Sequence, residues 1–410
     1  MMKQYFDGLV ERIESTLAEN PDNKSPRKMY ALEIARLGSR LYSGKNRVAW
    51  CGITAPFDLL SAMDVTSCFV EFIGAMVAST GVAGEFLEEA EHAGFASDIC
   101  GYHRAVMGAT RKGLMPNPDF LIGTTCPCSG GIAVMENMAG HFNKDMFVLN
   151  IPQQETEAGV QYLADQFRQM VQFVTDHTGE PLDENKLRTS ILKTNQAREI
   201  MDKTYQLAKQ IPSPADGKIL ANFGIVMALL LGTDAAVEVA QTYHDAFEKR
   251  VNAGIGGAAK EKIRLMWIQN RIQFKNKIVD LLENDFGAVI VIDELNSITW
   301  DPIDPDDPYT GMAKRAVSIP FNGEGTRRID NIKKLAEEYK IDGAINPCNW
   351  GCRQGTGARG LISEGLKEIN VPVLNLEVDC VDHRTFAEGQ IRTRLEAFTE
   401  MLESRPSPWA

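Results

Sequence analysis

Four of the eight cysteines in this 410-residue chain fall into two tight pairs, Thr125-Cys126-Pro127-Cys128-Ser129-Gly130-Gly131 and Asn346-Pro347-Cys348-Asn349-Trp350-Gly351-Cys352-Arg353-Gln354. Thiolates are soft ligands, and paired thiols suit a metal ion or an iron-sulfur cluster. Each pair follows a short apolar run that reads as a buried strand, 119–123 and 342–345, and each leads into a segment that reads as a helix. The sulfurs are therefore expected at the carboxyl ends of parallel strands, beside helix N-termini whose partial positive charge favours anions. Pro127 fixes the first loop so that both thiols can point outward, and Cys348 and Cys352, four apart, share one face if a helix has begun by then. Glycines follow both pairs (Gly130, Gly131, Gly351, Gly355, Gly357), which lets a bulky inorganic group approach the backbone and leaves N–H groups free to bond sulfide.

Two further thiols occupy suggestive places: Cys51 at the end of a predicted first strand, and Cys100 in Ser97-Asp98-Ile99-Cys100-Gly101-Tyr102-His103-Arg104. With the pairs they make six. Cys68 lies inside an apolar strand and reads as structural, and Cys380 stays open. A tetrahedral zinc site from the four paired cysteines is the rival reading, although neither pair has the compact two-residue-spaced knuckle and zinc leaves Cys100 unexplained. No Gly-Lys-Ser/Thr phosphate loop and no Gly-x-Ser-x-Gly elbow is present, so neither ATP hydrolysis nor a serine nucleophile is expected. Of six histidines, only His103 and His383 sit beside the suspected site.

To position these groups the sequence offers an α/β architecture: two Rossmann-like, doubly wound parallel-sheet domains with an additional helical N-terminal layer and a helical connector. The expected boundaries are 1–46 for the helical layer, 47–157 for the first Rossmann-like domain, 158–284 for a mainly helical connector and 285–410 for the second. Strands are predicted at 47–51, 67–71, 119–123, 146–149, 287–292, 342–345 and 371–376. A residue-level repeat supports two copies of one unit. Asp119-Phe-Leu-Ile leads to Cys126 and, later, to Val148-Leu149-Asn150-Ile151; Asp342-Gly-Ala-Ile leads to Cys348 and then to Val373-Leu374-Asn375-Leu376.

Composition sets the outer bounds. With 44% hydrophobic residues the chain can bury a large core. With 43 Lys and Arg against 55 Asp and Glu, the net charge of −12 disfavours nucleic acid and anionic lipid. The longest apolar run, 223–231, is too short to span a bilayer, and no signal core opens the chain, so a cytoplasmic protein is expected, whose thiols stay reduced.

Seven segments resemble the 2-hydroxyacyl-CoA dehydratase family (D-component subunits), which also includes benzoyl-CoA reductase subunits and double-cubane cluster proteins. They are Ser97-Asp98-Ile99-Cys100, Pro118-Asp119-Phe120-Leu121-Ile122 to Cys128, Pro212-Ser213-Pro214, Lys262-Ile263-Arg264, Asp301-Pro302 to Asp307-Pro308, Asn349-Trp350-Gly351-Cys352-Arg353-Gln354, and Asp382-His383-Arg384 with Arg392-Thr393-Arg394-Leu395-Glu396. The resemblance implies an oxygen-sensitive cluster between two domains and a separate ATP-hydrolysing activator as electron donor. It implies cluster ligation by Cys100, Cys128 and Cys352 in the dehydratase type. The additional Cys126, Cys348 and Cys51 would complete the six thiolates of a double cubane, two [4Fe–4S] units joined through sulfide.

The expectation is therefore an anaerobic iron-sulfur reductase with a double-cubane cluster, passing low-potential electrons to a small substrate. On this reading Cys51, Cys100, Cys126, Cys128, Cys348 and Cys352 are ligands, with His103, Trp350, Arg353 and Asp379 flanking the cleft. The family's double-cubane members imply a homodimer. The alternative is a subunit of an (R)-2-hydroxyacyl-CoA dehydratase, a heterodimer with one [4Fe–4S] cluster that works through a ketyl radical. A zinc-stabilised, non-catalytic protein is the third reading.

Overall fold

Apolar runs alternate with amphipathic segments along the chain, and in the computed structural model they become two four-stranded parallel sheets wrapped by helices. The structure describes residues 2–20 and 24–409, with the side chains of 222, 223 and 225–227 excepted. Met1, in the expected helical layer, and part of the apolar run 223–231 lie outside that description. The first sheet contains β1 (Arg47–Cys51), β2 (Val65–Phe69), β3 (Phe120–Thr124) and β4 (Met146–Leu149), in the order β2-β1-β3-β4. The second contains β5 (Ile263–Trp267), β6 (Ala288–Asp293), β7 (Gly343–Asn349) and β8 (Val373–Val378), in the order β6-β5-β7-β8. Every strand pair is parallel. The two sheets thus share one winding, and the doubly wound α/β class read from the sequence stands.

The repeated aspartates show why the two halves wind alike. Asp119 precedes β3; its backbone N–H donates to Val48 O (2.8 Å) and its Oδ2 accepts from Val48 N (2.8 Å). Asp342 precedes β7 and makes the same pair of bonds with Arg264 O and N, both 2.9 Å. Each carboxylate satisfies an N–H at the start of the central strand, and so sets the register of the third strand against the first.

Three strand assignments change. β5 falls within 158–284, the segment expected to be a mainly helical connector. Residues 263–267 are buried at every position, and such a short run carries no alternation to separate it from a buried helix. Its identity comes from β6 and β7, which flank it on both sides. The strand expected at 342–345 runs on to Asn349, because Asn346 to Asn349 continue to pair with Asn375 to Val378 of β8. Cys348 therefore lies in a strand, and it shares no helical face with Cys352. The strand expected at 67–71 is β2, and the helix Val70–Ser79 begins directly after it.

Helices fill the remaining layers. Met2–Glu19 and Pro26–Leu41 pack together, the latter capped by Ser25, whose side chain accepts from Lys28 N. The segment after β4 is two helices, Glu157–Thr178 and Glu184–Leu207, capped by the side chains of Thr156 and Asp183. Among the described residues no helix is long and apolar enough to cross a membrane.

The helix Gly217–Leu230 lies on β6 and borders the cavity between the two sheets. Its first N–H, on Gly217, donates to Glu283 Oε1 (2.7 Å), which also accepts from Ile290 N of β6 (3.2 Å). Burial pushes the Glu283 carboxyl from its ordinary 4.5 up to about 7, against the pull of the Gly217 N–H. A raised folded-state value means that the group's stabilising contribution is complete below the unfolded value and lost as pH rises through the folded one. The wild type should therefore lose stability relative to Glu283→Gln between about pH 5 and pH 7.5. Urea midpoints measured across that window check this; parallel profiles for the two proteins would contradict it.

Candidate functional site

In a sheet with this winding, the crevice opens where the chain leaves adjacent strands in opposite directions, at the carboxyl ends of β1 and β3 and of β5 and β7. Both crevices open onto one cavity of about 900 Å³, lined by residues of both halves. Cys128 reaches it from the loop after β3, and Gln269 from the end of β5. Cys352 arrives from the turn after β7, and Cys100 from the connection between β2 and β3, directly before the helix Gly101–Arg111.

Three of the thiols, those of Cys100, Cys128 and Cys352, are partly exposed, and all three lie on this cavity wall; the other five are buried. Each of the three also occupies a helix N-cap. Cys100 precedes Gly101–Arg111, Cys128 precedes Ser129–Phe142, and Cys352 precedes the short helix Arg353–Gly357. Burial raises the Cys100 and Cys128 thiols above the ordinary range, and backbone N–H groups pull the other way: those of His103 and Tyr102 at Cys100, and those of Gly131 and Gly130 at Cys128. Such N–H groups stabilise negative sulfur, whether thiolate or metal-bound.

Side-chain amides add to this. Asn349 Nδ2 donates to Cys100 Sγ (3.6 Å), while its Oδ1 accepts from Cys380 N (3.0 Å). Gln269 Nε2 donates to Cys352 Sγ (3.5 Å), and its Oε1 accepts from Arg328 Nη2 (3.0 Å). Arg328 is itself held by both carboxylate oxygens of Glu294 (2.6 and 2.9 Å). That chain of bonds fixes which end of the Gln269 amide faces the sulfur.

The two halves meet here with almost nothing between their backbones. A Cβ on Gly351 would overlap the backbone nitrogen of Cys100, and one on Gly101 would overlap the carboxylate of Asp379. Gln354 Nε2 donates to Pro127 O (2.6 Å), tying the second cysteine loop to the first. Arg104 is buried and joins the helix after Cys100 to the opposite half. It donates to Asp379 (2.9 Å) and Asp382 (3.3 Å), and also to Glu91 (2.6 Å) and to Ile99 O (3.2 Å).

The remaining predicted residues lie as follows. Cys126 is buried beside Cys128, off the cavity wall, with its thiol pushed up to about 12 by burial. Cys348 directs its sulfur at Asn346 O (3.5 Å) and Asn375 Oδ1 (3.6 Å) between β7 and β8. Cys51 is fully buried at the end of β1, its sulfur on Ala49 O (3.7 Å). His103 lines the cavity, with Nε2 3.5 Å from Glu71 Oε1. Trp350, 51% exposed, and the exposed Arg353 stand at the cavity's rim. Asp379 is buried, with its carboxylate taken up by Arg104 and by the N–H groups of Val381 and Asp382.

Sequence reasoning missed Glu71, Gln269, Asn349 and Arg328. Glu71 Oε2 is buried without a hydrogen-bond partner among the described residues, in the wall beside the Cys128 helix. Asn349 was legible as the residue before Trp-Gly-Cys, and Gln269 as the residue two beyond β5 once that strand is recognised. Among the described residues, no three His, Cys, Asp or Glu side chains are grouped as a single metal ion requires. The three thiols instead share the wall of one cavity, which leaves room for a larger group than a single ion.

The sequence profile of the 2-hydroxyglutaryl-CoA dehydratase, D-component family matches residues 53–402. The chain is 25% identical to the (R)-phenyllactyl-CoA dehydratase alpha subunit of Clostridium sporogenes, over 88% of this chain and 90% of that one. It is 24% identical to the lactoyl-CoA dehydratase subunit alpha of Anaerotignum propionicum, over 87% and 91%. It is 24% identical to a benzoyl-CoA reductase subunit of Thauera aromatica, over 79% and 81%.

Removing Arg104 would leave the buried Asp379 carboxylate without its cation, while Asp382 would keep Arg384. Arg104→Met should destabilise the protein by about 3–5 kcal/mol. Urea unfolding under anaerobic conditions measures this; a change below about 1 kcal/mol would show that the two halves do not depend on that pairing.

Proposed function

Because the chain belongs to the 2-hydroxyglutaryl-CoA dehydratase D-component family, we propose that it is a subunit of an enzyme that removes water from a 2-hydroxyacyl-CoA, with one [4Fe–4S] cluster held by Cys100, Cys128 and Cys352. One observation carries this reading: three thiols at helix N-cap positions, drawn from both halves, line a single cavity, and the other five are buried. The donor set fits such a group. It supplies three sulfurs around a void, N–H and amide donors aimed at sulfur, and room for a further ligand on the cavity side.

This reading displaces the double-cubane expectation. The curated relatives are dehydratase and reductase subunits by name, and the sulfurs of Cys51, Cys126 and Cys348 lie off the cavity wall. A zinc-stabilised, non-catalytic protein is disfavoured on the same geometry, since the four paired cysteines do not gather around one point.

When bound, the cluster would supply low-potential one-electron chemistry and an iron that acts as a Lewis acid on a substrate oxygen. The chain's own residues supply the rest. Gln269 and Asn349 hold two of the sulfurs by hydrogen bonds and tune their basicity. Dehydration takes hydroxide from C2 and a proton from C3, so a group must carry a proton beside the reacting carbons. His103 Nε2 and the unpartnered Glu71 Oε2, both on the cavity wall, form the pair that would do so. The apolar lining keeps bulk water from the site. Two of the relatives are named as alpha subunits, which supports a second subunit beside this chain; the electron donor proposed with it is the ATP-hydrolysing activator that the family resemblance implies.

Anaerobic purification followed by iron and acid-labile sulfide counting tests the assignment. The wild type should carry about four irons per chain. That content should fall in Cys100→Ser, Cys128→Ser and Cys352→Ser, and persist in Cys51→Ser, Cys126→Ser and Cys348→Ser. About eight irons, lost with Cys126 or Cys348, would restore the double cubane, and zinc without sulfide would end the enzymatic reading.

A further inference from the structure

Beyond the thiols, the same cavity is walled by rings. Phe57, Phe69 and Phe72 form a contiguous edge-to-face set, with centroids 6.3 and 5.7 Å apart and all three side chains buried. Trp300 and Phe321 face the cavity from the other half. Resting on the acyl-CoA reading above, we propose that the acyl chain this site accepts is apolar and bulky, aromatic or branched aliphatic beyond C3, and that a chain ending in a second carboxylate is refused.

The charges on the wall carry the second half of that statement. Arg315 lies in the cavity wall, but both of its terminal nitrogens are engaged by the fully buried Asp58 (2.7 and 2.8 Å), and its guanidinium lies over the Trp300 ring. Burial works against ionisation of Asp58, yet Arg315 still holds its carboxyl below the usual range, so the pair stays charged and mutually satisfied. Arg271 is taken by Asp293. Arg353, which has no ion pair among the described residues, is exposed at the rim, where it could meet the phosphates of a nucleotide but not the end of a buried chain. Among the described residues of the wall, the Glu71 carboxylate oxygen is buried without a hydrogen bond, and it would repel another anion.

A second carboxylate carried into this chamber would therefore lose its water and find, among the described residues of its interior wall, no unpaired lysine or arginine, whereas a phenyl or isobutyl group would exchange water for aromatic edges and faces. Size points the same way. A wall of buried rings makes few contacts with a methyl group and many with a ring.

The test uses anaerobically purified protein and calorimetric titration with three probes: the CoA thioester of (R)-2-hydroxy-3-phenylpropanoate, that of (R)-2-hydroxyglutarate, and free CoA. The aromatic thioester should bind at least about tenfold more tightly than the dicarboxylic one. Equal or reversed affinities, with both thioesters tighter than CoA, would overturn the apolar assignment and leave the acyl-CoA reading standing. If neither thioester exceeds free CoA, the acyl-CoA reading itself fails and takes this inference with it. Asp58→Asn, which uncovers Arg315, should narrow the preference by about fivefold. An unchanged ratio in a variant that keeps its far-ultraviolet circular dichroism would overturn the claim that the paired cation sets the preference.

Discussion

The site exists because two separately wound sheets touch through backbone. At Gly351 the second half passes so close to the Cys100 nitrogen that no side chain fits between them, and at Gly101 the first half does the same against Asp379. That contact brings Cys100 and Cys352 onto one wall although they are far apart in sequence, and the Gln354 bond to Pro127 O brings in the loop of Cys128. Arg104 holds the contact from one side, with the buried Asp379 carboxylate that would be costly to leave alone. The sulfurs are positioned by the joint between the halves, and neither half has them all.

Electrostatics within that joint are consistent with an anionic, sulfur-rich occupant. Backbone N–H groups at two helix N-termini act on the Cys100 and Cys128 thiols, two side-chain amides donate to sulfur, and Arg271, Arg315 and Arg328 are tied to carboxylates of their own. With no lysine or arginine among the described residues aimed unpaired into the interior, the N–H groups favour negative sulfur while the chamber stays apolar for an organic chain. One cavity can then hold an inorganic group at one end and a hydrocarbon at the other.

Much of this was legible in the residues. The Asp-x-x-x run before each cysteine pair marked the repeated third strand, and in the structure those aspartates make identical backbone bonds. Cys-Gly, Cys-Ser-Gly-Gly and Cys-Arg-Gln-Gly each precede a helix, so the capping positions could be read as well. β5 could not: its five residues are all buried, and only its pairing on both sides makes it a strand. Because Cys348 lies four residues from Cys352, it invites placement on the same helix. The ladder to β8 keeps the chain extended there and turns its sulfur toward Asn375. Gln269 was hidden with β5, and Glu71 with a helix that starts where the strand was expected to continue.

The central claim is that Cys100, Cys128 and Cys352, and no other thiols, surround one inorganic centre between the halves. Anomalous diffraction at the iron absorption edge, from crystals grown and frozen without oxygen, measures this most directly. The account predicts one compact iron peak per chain in bonding contact with those three sulfurs. Iron density on Cys51, Cys126 or Cys348, or no iron in the cavity at all, would contradict it.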